Sequence, residues 1–124
     1  MALPASGPDA PFYAPGSWDR DQLAGFAEDL CPGRPIDLGI VRAVKTLVDS
    51  GVETFESCQG GEGHAFPEPT VRFGAGRPEE GWKGLSVCLT YGFPVRALRL
   101  YWTIEQGHQP TGPHWEIVFR RPLA

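Results

Sequence analysis

The chain is 124 residues long, carries a formal net charge of -4 and is 41% hydrophobic, which fits one folded domain and excludes a disordered or fibrous chain. The acidic balance also excludes a general electrostatic grip on nucleic acid, which needs clustered Lys and Arg. Cys31, Cys58 and Cys88 are odd in number and form no CxxC pair, so neither a disulfide framework nor a cysteine-rich zinc site is indicated.

A reducing compartment follows from that cysteine usage. The N-terminus shows no basic flank followed by a long apolar run, and no segment reaches the length needed to span a bilayer. The expectation is a soluble, cytoplasmic protein.

Residues 1–16 contain Pro4, Pro8, Pro11 and Pro15, which block regular helix and predict an extended proline-rich arm. The single domain then runs over 17–124. Ser17 or Asp19 can cap a short helix that places Leu23, Phe26, Ala27 and Leu30 on one face before Pro32 ends it. The strongest helical pattern runs from Asp37 to Ser50, with Ile40, Val41, Val44, Leu47 and Val48 as its apolar stripe, Asp37 as cap and Gly51 as stop.

Val52 to Cys58 reads as a strand, and Thr70 to Phe73 as a second, with Val71 and Phe73 inward and Arg72 outward. A further helix begins at Pro78, where proline suits the first turn and Glu79 and Glu80 suit the positive end of the dipole. Its expected inward residues are Trp82, Leu85, Cys88 and Leu89. Leu98, Leu100, Trp102 and Ile104 alternate with polar neighbours, as do Trp115, Ile117 and Phe119, so the chain should close with an antiparallel hairpin. Trp102 and Trp115 are read as core.

The predicted class is α+β in the order ααββαββ, with about four strands in an antiparallel or mixed sheet packed on one face by two main helices. The halves beginning at Asp37 and Pro78 can be paired αββ units.

The segment Glu56-Ser57-Cys58-Gln59-Gly60-Gly61-Glu62-Gly63-His64-Ala65-Phe66 carries the unusual chemistry. Its glycines allow a sharp turn and expose amides that can face an anion. Cys58 and His64 can meet across that turn as nucleophile and base. As metal ligands they would recruit a partner from Glu56, Glu62, His108 or His114, but no spacing fixes such a set and no metal or other cofactor is assigned. Glu56, Ser57, Gly60, Gly61, Arg72 and Tyr101 are the candidate ligand-binding residues around it. Arg72, Arg77, Arg96, Arg99, Arg120 and Arg121 lie in the second half, where guanidinium suits carboxylate or phosphate.

The run from Glu53 to His64, followed by Pro67 to Phe73, resembles small uncharacterised proteins of bacteria and their phages, and the resemblance extends through Gly112-Pro113-His114-Trp115-Glu116. It implies relatedness and no specific activity. Ser57-Cys58-Gln59-Gly60 is faintly similar to a segment of tRNA wybutosine-synthesis methyltransferases, and four residues carry nothing further. The leading expectation is a small binding or interaction domain, a phage or mobile-element accessory or anti-defence protein, that uses the Glu56–His64 loop toward a protein partner or a small anionic ligand. A homodimer is compatible with the apolar faces. The alternative is a small enzyme that uses Cys58 and His64.

Overall fold

The computed structural model describes residues 18–104, 107 and 109–121. The expected proline-rich arm, Ser17 as a cap and His108 lie outside the described residues. The elements are α1 (Arg20–Leu30), α2 (Val41–Asp49), β1 (Thr54–Cys58), β2 (Thr70–Phe73), α3 (Pro78–Thr90), β3 (Val95–Ile104) and β4 (Pro110–Phe119). This is the α+β order read from the sequence. Among the described residues no helix is long and apolar enough to cross a membrane.

α1 starts where Asp19 and Gln22 form a reciprocal capping box, the carboxylate accepting from the Gln22 amide and the Gln22 side chain accepting from the Asp19 amide. Leu23 and Ala27 then bury against Trp18 and Val41. α2 is shorter than its pattern suggested, and Asp37 does not cap it. Its N-cap is Ile40, without a side-chain hydrogen bond. Residues 38–40 form a turn instead, in which the Ile40 amide donates to the Asp37 carbonyl at 3.0 Å.

All four strands pair antiparallel, in the order β1-β2-β4-β3. β2 and β4 occupy the centre and β1 and β3 the edges, so α2-β1-β2 and α3-β3-β4 each contribute one half of the sheet. The core joins Ile40, Val44 and Leu47 to Val71, Phe73, Val87, Ile117 and Phe119. Both long helices pack on one face, and Arg72 points to the other.

The inward face of α3 matches the expected one at Leu85 and Cys88 and differs at Trp82 and Leu89. Trp82 and Leu89 are 62% and 58% exposed, whereas Gly81, Gly84, Val87 and Cys88 are buried. Two aromatic rings cause the rotation. A methyl group on Gly84 would lie 2.5 Å from the Phe73 ring, and one on Gly81 would lie 2.6 Å from Trp115 Cζ2. The helix thus presents bare backbone to large strand side chains, a fit that apolar periodicity does not register. Trp102, read as core, is also exposed, because it lies toward the end of β3 that runs into the β3–β4 connection, away from the core.

Burial pushes the Cys88 thiol from 9.0 up to about 12, since a thiolate in the core would lose its hydration. The folded chain therefore holds this proton over a range in which the unfolded chain releases it. That contribution to stability is complete below pH 9 and declines by up to about 1.4 kcal/mol per pH unit above it. Urea unfolding of wild type and Cys88→Ala, compared between pH 8 and pH 10, should show a stability difference that shrinks with pH. A difference independent of pH would refute the assignment.

Candidate metal site at the end of strand β1

Cys58 is the last residue of β1 and pairs in register with Thr70. The chain then turns through Gly60 and Gly61 at φ +79° and +116°, a region that disfavours residues with a Cβ. The Gly61 amide donates to the Pro67 carbonyl at 3.1 Å, and the His64 amide donates to the Gly61 carbonyl at 3.1 Å. These bonds fold the loop back on itself and return His64 toward Cys58. The Gly60 amide donates to Cys58 Sγ at 3.4 Å, a contact that stabilises negative charge on sulfur.

One ligand atom from each of Asp37, Cys58 and His64 lies within 4.8 Å of the other two. Asp37 Oδ2 stands 3.6 Å from His64 Nδ1 and accepts a hydrogen bond from the Gln59 amide at 3.2 Å. Gln59 fastens the two segments a second time, its side-chain oxygen accepting from the Gly39 amide at 2.9 Å. Its nitrogen lies 3.4 Å from His64 Nε2, and when it donates there the ring carries its proton on Nδ1, facing Asp37. Cys58 is only 4% exposed, whereas His64 is exposed and Asp37 is half-buried. The group therefore has a buried sulfur floor and a polar lip open to solvent.

The remaining predicted residues divide between two other places. Ser57 joins Leu30, Cys31, Ile36, Val44 and Phe55 in lining an open cleft of about 400 Å³ beside β1. Glu56, Arg72 and Tyr101 meet on the sheet face away from the helices. There Arg72 Nη1 donates to Glu56 at 2.7 Å and its Nε to Glu116 at 3.0 Å. The guanidinium also stands over the rings of Phe66 and Tyr101, at 4.7 and 4.2 Å. Glu62 is exposed on the loop and stands outside the three-donor group. His114 packs against Phe55 and Tyr101, with Nδ1 3.3 Å from the Gly74 carbonyl.

Burial by itself would lower the Arg72 pKa, but the Glu116 hydrogen bond, Tyr101 and Glu56 together hold it above its ordinary value. Burial likewise raises the Tyr101 phenol, with Glu56 and Glu116 adding to the shift and Arg72 opposing it. A guanidinium held by two carboxylates and two rings is a structural clamp and offers little to an added anion. Arg72→Ala would leave the buried Glu116 with Arg99, at 3.3 Å, and is expected to destabilise the fold by about 2 kcal/mol. Arg72→Lys should recover less than half of that, since an ammonium neither forks nor stacks. Urea midpoints indistinguishable from wild type in both variants would refute the clamp.

The missing residues of the site are Asp37, Gln59 and Gly39. Asp37 looked like a helix cap, and the signal against that reading was the adjacent Leu38-Gly39. A methyl on Gly39 would lie 2.9 Å from Gln59 Cβ, so glycine there admits the Gln59 side chain and locks Asp37 beside the loop. Comparison with protein families, curated proteins and solved structures finds no match for this chain.

Proposed function

We propose that this chain is a small binding domain whose functional element is a one-ion site of the zinc class formed by Asp37, Cys58 and His64. The supporting observation is the convergence of three different donor atoms within 4.8 Å. Thiolate, imidazole and carboxylate together suit a borderline-soft ion, whereas magnesium and calcium prefer oxygen alone. Donors around tetrahedral zinc stand roughly 3.5 Å apart, so the loop would have to draw in slightly. His64 is the member able to move, because it is exposed and follows Gly63 at φ +82°.

Three protein ligands leave a fourth position open toward solvent. That position would take a small anionic ligand or a side chain of a protein partner. The Gly60 amide on Cys58 Sγ and the Gln59 amide on Asp37 would act as the supporting hydrogen bonds that orient the ligands.

A second reading rests on the ring proton facing Asp37. In it Asp37 orients His64, and His64 serves as base to a nucleophilic Cys58 thiol. The burial of Cys58 favours the ion. Native mass spectrometry with elemental analysis of gently purified protein decides between them. The ion reading predicts one zinc-class ion per chain, removable by chelator, and protons released on reloading because the ligands bind deprotonated. An apo mass that stays apo with added zinc, together with rapid alkylation of Cys58, would transfer the assignment to the nucleophile.

A further inference from the structure

β3 is an outer strand of the sheet, opposite β1. Edge strands usually carry protection against pairing, such as proline or inward charge. From Ala97 to Ile104 this strand has neither, and Arg99, on the outward face, is its one charged residue. Its helix-facing positions emerge from cover along the strand. Leu98 packs on the core, whereas Leu100, Trp102 and Ile104 are 41%, 54% and 64% exposed.

α3 extends the same apolar surface. Lys83 donates to the Gly51 carbonyl, so that flank of the helix faces the end of α2. Trp82 and Leu89, two turns apart, lie on the opposite flank, toward β3. Gly81 sits against Trp115, and Trp115 pairs with Leu100 in register, so the first turn of α3 stands over the strand pair that carries Leu100. Leu100, Trp102 and Ile104 thus form one apolar patch along the strand, with Trp82 and Leu89 exposed on the helix above.

We infer that this patch is the interface between two copies of this chain, with β3 pairing antiparallel to its own copy about a two-fold axis at Tyr101. The pairing would join two four-stranded sheets into one. A ladder centred there sets Leu98 opposite Ile104 and Leu100 opposite Trp102, so apolar meets apolar at each helix-facing position. On the other face Arg99 stands opposite Thr103 and Tyr101 opposite itself, and no like charges are opposed. The strand is therefore self-complementary, as an isologous interface requires. Leu100, Trp102 and Ile104 together bring on the order of 300 Å² per copy, and the backbone ladder with its flanking side chains would supply the rest of the roughly 800 Å² per partner of a stable interface.

Sedimentation velocity of the full chain from about 1 μM to about 1 mM tests this inference. The expected species has twice the 13.5 kDa chain mass. Trp102→Lys and, separately, Ile104→Lys should each raise its dissociation constant at least tenfold with an unchanged circular dichroism spectrum. Both side chains are more than half exposed, so either variant can decide if the other fails to fold. A monomer at every concentration overturns the inference. A dimer indifferent to both substitutions overturns it too. Neither outcome bears on the ion site, at the opposite edge of the sheet.

Discussion

Cys58→Ser is expected to lower the affinity of the chain for zinc by about 100-fold or more, with His64→Ala close behind and Asp37→Asn the mildest of the three. The order follows from what each side chain supplies. Sulfur is the buried donor, fixed by the strand end and by the Gly60 amide, so its loss removes the floor of the site. His64 would supply its ring nitrogen from the exposed side, and truncation would leave that side to water. Asn at 37 keeps a carbonyl oxygen in place but lacks the negative charge. Gln59→Ala removes no ligand, yet it frees the 37–39 turn from the loop and should cost about tenfold. Competition with a chromophoric zinc chelator at fixed pH reads all four. Binding equal to wild type in the three ligand variants would remove the site altogether. A loss confined to Cys58→Ser would reduce it to a simple thiol.

Gly60→Ala is expected to destabilise the fold by about 3 kcal/mol, against about 1 kcal/mol for Gly63→Ala. Both glycines have the same backbone hand, at φ +79° and +82°, so the intrinsic strain of adding a Cβ is common to them. Their surroundings differ. A methyl on Gly60 would lie 2.6 Å from the Pro69 nitrogen and 2.7 Å from Glu68 Cα, while one on Gly63 meets nothing within 4 Å. Backbone cannot rotate aside as a flexible side chain can, so the loop and the start of β2 would have to separate. The Gly60 amide would then leave Cys58 Sγ, and zinc affinity should fall together with stability. Denaturant midpoints of the two variants measure the contrast directly. Equal costs would show that the close approach at Gly60 is relaxed in solution.

The elements were legible because periodicity reports which side is buried. β2 spans Thr70–Phe73 as read, with Arg72 on the far face. β3 and β4 pair antiparallel as read, though the register shifts at Val95/Ala97 and Tyr101/Thr103 and β4 begins at Pro110, within the Gln106–Pro113 stretch whose glycines and prolines suggested a loop. Legibility failed where glycine took the place of an apolar side chain at the interface. On α3 the buried positions are Gly81 and Gly84, residues that carry no hydrophobic signal, so the pattern pointed to Trp82 and Leu89 instead. Trp102 failed for a related reason, since alternation assigns a face but not how far the covering layer reaches along it.

At the candidate site, the sequence alone determined that Cys58 and His64 share a short glycine-rich turn, because positive-φ geometry and loop length are local properties. Local chemistry also marked Asp37, but as a cap for the helix after it. Only the tertiary structure decided that its carboxylate crosses to the Gln59 amide and His64, and that Arg72 is occupied by Glu56 and Glu116. Those outcomes depend on which segments the sheet order makes neighbours. Asp37 and Gln59 stand twenty-two positions apart, and the Arg72–Glu116 pair spans forty-four, separations over which spacing carries no distance information.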